Sequence, residues 1–126
     1  MPERLLVIED NEQNHYLMRF LLEKHGFAVE VAETGRAGVK AALLHPPRAI
    51  LLDIPLPEMD GYAVAEALLA EESLKHIPII AVTSYAMAGD RERILAAGAT
   101  GYIEKPINPD TFVAQIRGYL DGARDA

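Results

Sequence analysis

Apolar residues in this chain fall into five short runs, and each run is followed by a longer segment in which apolar positions recur every three or four residues. The runs are Arg4 to Ile8, Ala28 to Val31, Ala49 to Leu52, Ile79 to Val82 and Gly101 to Glu104. The third and fourth are apolar throughout, the pattern of strands covered on both faces, and so belong in the interior of a sheet. Helical segments are expected between and after them. The first starts near Asn11 or Glu12, carries Leu17, Phe20 and Leu21 at one-face spacing and stops at Gly26. A second is capped by Thr34 and ends before Pro46-Pro47. The third spans about Tyr62 to Glu71, entered by a turn at Met59-Asp60-Gly61, and the fourth about Asp90 to Ala97, with Gly98 as its stop. The fifth has the sharpest boundary: Asn108 as N-cap, Pro109 in the first helical position, then Phe112, Val113, Ile116, Tyr119 and Leu120 along one stripe.

Five strand–helix repeats with short connections predict an α/β protein with a parallel sheet and helices on both faces. Right-handed crossovers make a doubly wound, three-layer sandwich the economical arrangement, with flavodoxin-like strand order 2-1-3-4-5. No Ser/Gly-rich linker, repeat or low-complexity tract interrupts residues 1–126, so the chain reads as one domain with no attached effector and a core of about 4–121. In this architecture ligands bind beyond the carboxyl ends of the strands, where the strand order reverses.

Composition narrows the chemistry. With no cysteine among 126 residues, zinc fingers, thiol catalysis and disulfide scaffolds are excluded. A net charge of −7 argues against charge-driven binding to nucleic acid or to an anionic membrane. No apolar run approaches the ~18 residues of a membrane span, and the start Met1-Pro2-Glu3-Arg4 lacks the basic and apolar regions of a signal peptide, so a cytoplasmic protein is expected. The histidines at 15, 25, 45 and 76 have no metal-like spacing and read as surface residues, while Met18 and Met87 read as packing residues.

The strand ends carry a set of chemically useful residues: Glu9 and Asp10 after the first, Asp53 after the third, Thr83 after the fourth, Lys105 and Pro106 after the fifth. Three carboxylates converging on one rim repel one another, and that repulsion is relieved either by raised pKa values or by a hard divalent cation. Mg²⁺ suits an all-oxygen set that leaves room for water and a phosphoryl group.

In order and spacing these residues bring a specific likeness. The fragments Val7-Ile8-Glu9-Asp10-Asn11, Leu51 to Gly61 (with Asp53-Ile54-Pro55 near its start), Ile77 to Ala86 and Gly98 to Pro106 resemble a response-regulator receiver domain of bacterial two-component signalling, single-domain and chemotaxis-regulator-like, from Leu5 to about Leu120. That resemblance implies a phosphorylatable switch. Asp53 would take a phosphoryl group from the phosphohistidine of a sensor histidine kinase or histidine phosphotransfer protein. Glu9, Asp10, Asp53 and the backbone carbonyl of Pro55 would hold Mg²⁺, Lys105 would pair with the phosphoryl oxygens, and Thr83 would hydrogen-bond them. Lys105-Pro106 matches the family's cis peptide site. Coupling between Thr83 and Tyr102 would then alter the face made by the fourth helix, fifth strand and fifth helix, where a downstream protein target docks. The chain would be a monomer or weak dimer, and a regulator catalysing its own phosphotransfer rather than a turnover enzyme.

Pro55 and Tyr85 stand two residues past Asp53 and Thr83, where related domains often carry polar residues that orient water, so slow autodephosphorylation is expected. Arg48 stands where the family is commonly acidic. A flavin or nucleotide binder on the same fold would need a phosphate-cradling loop, and Glu9-Asp10 would repel the phosphate. An aspartyl-phosphate phosphohydrolase would need a further acidic group where Pro55 sits. A receiver-like interaction module working without phosphorylation is the remaining alternative, and the intact site set disfavours it.

Overall fold

The structure, a computed structural model, describes residues 2–85 and 87–125; Met1, Ala86 and Ala126, which the expected domain span or fragments included, lie outside the described residues. Five strands, β1 (Arg4–Ile8), β2 (Ala28–Ala32), β3 (Ala49–Leu52), β4 (Ile79–Thr83) and β5 (Gly101–Glu104), form one parallel sheet in the order β2-β1-β3-β4-β5. They alternate with α1 (Glu12–Lys24), α2 (Gly35–Leu44), α3 (Gly61–Leu69), α4 (Ala88–Ala96) and α5 (Phe112–Asp125). This is the flavodoxin-like (βα)₅ sandwich that the pattern predicts.

Strand periodicity sorts the core into two layers, because successive side chains point to opposite faces. Leu5, Val7, Leu51, Ile80, Val82 and Ile103 pack on Met18, Leu21 and Leu22 of α1 and on Phe112, Val113, Ile116 and Leu120 of α5. Their neighbours Leu6, Ile8, Ile50, Leu52 and Ile79 pack on α2 and α3 through Ala42, Val64, Ala65 and Leu68. A smaller cluster of Ile54, Ala81 and Ile94 seats α4, with Tyr62, Ala99 and Tyr102 around it.

Several local expectations are corrected. In α1 the buried stripe is Met18, Leu21 and Leu22, while Phe20 is exposed and stacks on Tyr16 with ring centroids 6.4 Å apart. The helix carries apolar residues over much of its circumference, so the spacing fixes a helix but not its phase. Met87 is also exposed, since it precedes α4 and turns away from the core. His15 is no surface histidine: its side chain is 16 % exposed and lies 3.5 Å from the Glu33 carboxylate. Helix α3 ends at Leu69 rather than near Glu71, and α4 begins at Ala88 because Asp90 accepts a hydrogen bond from the Met87 N–H one turn back. Asn108 does cap, its side chain accepting from the Asp110 N–H, but residues 109–111 form a turn and the regular helix starts at Phe112. Gly26 and Gly98 have positive φ, 93° and 110°, which suits glycine at the ends of α1 and α4. Arg48, given no role by the sequence, ties the sheet to its flanks by bonding Glu3 and the Leu120 carbonyl.

Candidate functional site

Strand register carries the chemistry to one end of the sheet. Ile8 pairs with Leu52, Leu52 with Ala81, and Thr83 with Glu104, so Glu9, Asp53 and Lys105 each begin one step beyond neighbouring strands. The ladder continues through them: Glu9 N–H donates to Ala32 O (3.0 Å), Asp53 N–H to Ile8 O (3.1 Å) and Lys105 N–H to Thr83 O (2.9 Å). Glu9, Asp53 and Lys105 also continue the parity of Val7, Leu51 and Ile103, the residues facing α1 and α5. Thr83 and Tyr102 have the parity of Ala81 and its register partner, on the α4 side. Two faces of one sheet thus separate the acid cluster from the threonine–tyrosine pair.

On the first face, the Lys105 ammonium donates to Asp53 Oδ2 at 2.8 Å and to Glu9 Oε1. The other carboxylate oxygens are held by backbone: Asp53 Oδ1 accepts from the Ile54 N–H (2.8 Å), and Glu9 Oε2 from the Asn11 N–H (3.1 Å). Glu9 is 1 % and Asp53 5 % exposed, whereas Asp10 lies open to solvent. Burial, assisted by the neighbouring Asp53 charge, lifts the Glu9 carboxyl above its ordinary pKa against the pull of Lys105 and the Asn11 N–H. For Lys105, burial opposes the charged form, but hydrogen bonds to Asp53 and Glu9 outweigh it and hold the ammonium above the usual lysine value. One oxygen from each of Glu9, Asp10 and Asp53 lies within 4.8 Å of the others, an all-oxygen, anionic set suited to a hard cation.

The loop after Asp53 is fixed by close packing. Ile54 O accepts from both the Leu56 N–H (2.8 Å) and the Gly61 N–H (2.7 Å), while no hydrogen bond among the described residues ends on the Pro55 carbonyl. Gly61 is needed for space: a Cβ there would stand 2.5 Å from the Asp53 carbonyl oxygen and 2.7 Å from Ile54 Cα. Asp60 caps α3 by accepting from the Ala63 N–H at 3.0 Å, a role that Asp ahead of an apolar helical run signals and that the sequence reading passed over. The Lys105-Pro106 peptide bond is cis.

On the second face, Thr83 is fully buried and its hydroxyl accepts from the Tyr85 N–H (3.3 Å). The Tyr102 hydroxyl donates to the Tyr85 carbonyl. The Tyr119 hydroxyl, unnoticed in the sequence, accepts from Tyr102 N–H (3.3 Å) and donates to Tyr102 O (3.0 Å), pinning β5 to α5. No hydrogen bond among the described residues joins Thr83 or Tyr102 to the carboxylates.

The family described as the response regulator receiver domain matches residues 5–117. The chain belongs to that family: it is a response-regulator receiver domain. Among curated proteins, the polar-differentiation response regulator DivK of Brucella anthropi is 42 % identical over 123 residues, covering 98 % of this chain and all of that protein. Among solved structures, the receiver domain of a sensor histidine kinase from Pseudomonas aeruginosa, with a magnesium ion coordinated in its active-site cleft, is 31 % identical with a TM-score of 0.88 over 96 % of this chain and 99 % of that one. A CheY-like receiver domain protein from Methanospirillum hungatei is 30 % identical, TM-score 0.89, over 99 % and 98 % of the two chains. No helix of the described residues in this receiver domain is long and apolar enough to cross a membrane.

Proposed function

We propose that this receiver domain is a phosphorylatable, cytoplasmic switch whose Asp53 accepts a phosphoryl group, with Mg²⁺, from the phosphohistidine of a sensor histidine kinase or histidine phosphotransfer protein. The observation that carries the reading is the Lys105 ammonium bonded to Asp53 and Glu9 at a cluster of three carboxylates. In the transfer, an Asp53 oxygen forms a P–O bond as the P–N bond to imidazole breaks; the departing nitrogen keeps that electron pair, and with the proton retained on the other ring nitrogen the donor histidine leaves as neutral imidazole. The Ile54 N–H orients the carboxylate through Oδ1, and Lys105 brings a fixed positive charge to the point where negative charge accumulates. Glu9, Asp10, Asp53 and the Pro55 carbonyl would hold the metal, which when bound would neutralise phosphoryl oxygens.

Phosphorylation then acts through Thr83. Its hydroxyl gives up the Tyr85 N–H for a phosphoryl oxygen, the Tyr102 ring moves inward, and the α4–β5–α5 surface changes for a downstream protein. The protein catalyses its own phosphotransfer and its own slow dephosphorylation and turns over no separate substrate.

The test is incubation with acetyl phosphate and Mg²⁺ followed by intact-mass measurement of the native chain and Asp53→Asn. One added phosphoryl group on the native chain and none on the variant is expected. No gain on the native chain overturns the reading in favour of an interaction module that works unmodified; an equal gain on Asp53→Asn overturns the choice of acceptor.

A further inference from the structure

Helix α1 turns toward solvent a face that the phosphoryl chemistry does not use. Tyr16 and Phe20 on it are 67 % and 52 % exposed, and their rings stack with centroids 6.4 Å apart and planes 12° from parallel. At about 100° per residue both stand opposite the buried Met18, so they form one apolar ridge rather than two scattered side chains. Hollows flank the ridge on either side of Tyr16. One of about 410 Å³ is bordered by Glu12, Gln13 and Tyr16, and one of about 250 Å³ by Tyr16, Arg19, Phe20 and Glu23. Charge follows the same face. Glu12, in the first turn, makes no hydrogen bond or ion pair with any described residue, while Arg19, two turns on along the same flank, lies 3.3 Å from Glu23.

We propose that this face of α1 binds the same face of a second copy of the chain, the two helices running antiparallel about a two-fold axis at Tyr16. Ridge and hollow then fill one another. Phe20 of each copy stands level with Glu12 and Gln13 of the other and enters the larger hollow, and the two Tyr16 rings meet at the axis. Arg19 faces the second copy's Glu12 across the seam, because both residues occupy the same flank. This order is what selects a second copy: any apolar partner could cover the ridge, but the sequence of carboxylate, ring, ring and guanidinium answers itself when the helix is turned end for end. Antiparallel docking also sets opposite ends of the helix dipoles together. A parallel pair would instead bring the two acidic rims at Glu9 and Asp10 side by side. Two rings of roughly 150–250 Å² each supply about half of the ~800 Å² per partner of a standard interface, so the dimer is weak, with a Kd of about 100 μM. The inference does not depend on the phosphoacceptor reading.

The experiment is sedimentation equilibrium of the native, unphosphorylated chain from about 10 μM to about 1 mM, with amide NMR spectra over the same range. The average mass is expected to rise toward that of two chains, and the amide shifts that follow concentration should lie on α1. Phe20→Ala should weaken association at least tenfold, since the ring is lost at both ends of the seam, and leave the melting temperature of dilute protein unchanged, because the ring is exposed in the single chain. Glu12→Arg and Arg19→Glu should each weaken association about fivefold, and the two exchanges together should restore most of that loss. A chain that stays monomeric at about 1 mM leaves the face to a protein of another sequence and overturns the inference. Association that Phe20→Ala does not weaken, or whose shifts lie on α4 and β5, overturns it as well. Failure of the paired exchange to recover what the single exchanges lose overturns the antiparallel register at Tyr16 and the proposal built on it.

Discussion

Replacing Lys105 by methionine removes the single positive charge bonded to Glu9 and Asp53 while keeping most of the apolar stem. Those carboxylates are almost wholly buried, and their oxygens lie within 4.8 Å of one another. At that separation and an effective dielectric near 20, their mutual repulsion is about 3.5 kcal/mol, within the range of about 3–5 kcal/mol for breaking a buried ion pair. The variant escapes by retaining a proton, so the Glu9 carboxyl, already above its ordinary pKa through burial, rises further. A carboxyl whose folded pKa exceeds its unfolded value adds stability below the unfolded value and loses it as pH climbs through the folded one. In the native chain Lys105 stays charged throughout, its raised pKa affecting stability only above about pH 10.5. Urea denaturation in EDTA from pH 4.5 to 8 should therefore show the two proteins converging toward acid and separating by about 3 kcal/mol near neutrality. Saturating Mg²⁺ should close much of that gap. A deficit of the same size at every pH would refute the electrostatic reasoning and leave only lost packing of the lysine stem.

Gly61→Ala tests the close approach at the Asp53 loop: helix propensity alone favours alanine by about 1 kcal/mol. The added Cβ meets the Asp53 carbonyl oxygen and Ile54 Cα, so a net loss of about 1–3 kcal/mol is expected by chemical denaturation, with slower acetyl-phosphate labelling of Asp53. Pro55→Asn and Tyr85→Glu, each introducing a polar group beside the site, should each speed loss of the phosphoryl group, measured by intact mass after removal of the donor. Unchanged lifetimes in both would remove Pro55 and Tyr85 as the cause of the proposed slow dephosphorylation.

The strands were legible because a doubly covered strand has little choice of residue: Ala49-Ile50-Leu51-Leu52 and Ile79-Ile80-Ala81-Val82 suit almost nothing else. The acid cluster was legible for a related reason, since a charge directly abutting such a run stands at the sheet's rim and is costly unless partnered. Helix phase was harder to read. In α1, Tyr16, Leu17, Met18, Phe20, Leu21 and Leu22 cover most of the circumference, and only packing against Phe27 and α5 selects Met18, Leu21 and Leu22 for the core. Side-chain pairings across elements left no local trace: Arg93 over Tyr62 joins residues thirty-one apart, and the Tyr119 bonds to the Tyr102 backbone join α5 to β5. Gly61 was read as a turn residue, but its real constraint, the nearness of the Asp53 carbonyl, exists only once the loop has closed.

One arrangement accounts for both the electrostatic cost of the site and its proposed use. A parallel sheet that places Glu9 and Asp53 on adjacent strand ends, with equal parity, cannot separate their charges without shifting the register that Ile8 and Leu52 share. Repulsion is consequently built into the hydrogen-bond ladder. Lys105, delivered by β5 on the same face, offsets it with a charge tethered to the chain. A divalent ion and a phosphoryl group would change that balance together, the ion drawing on the carboxylates and the phosphoryl oxygens drawing on Lys105. Thr83, one strand away with opposite parity, would report the change on the α4 side. In the proposed switch, the sheet would separate charge sensing from mechanical output by nothing more than the two-residue period of its strands.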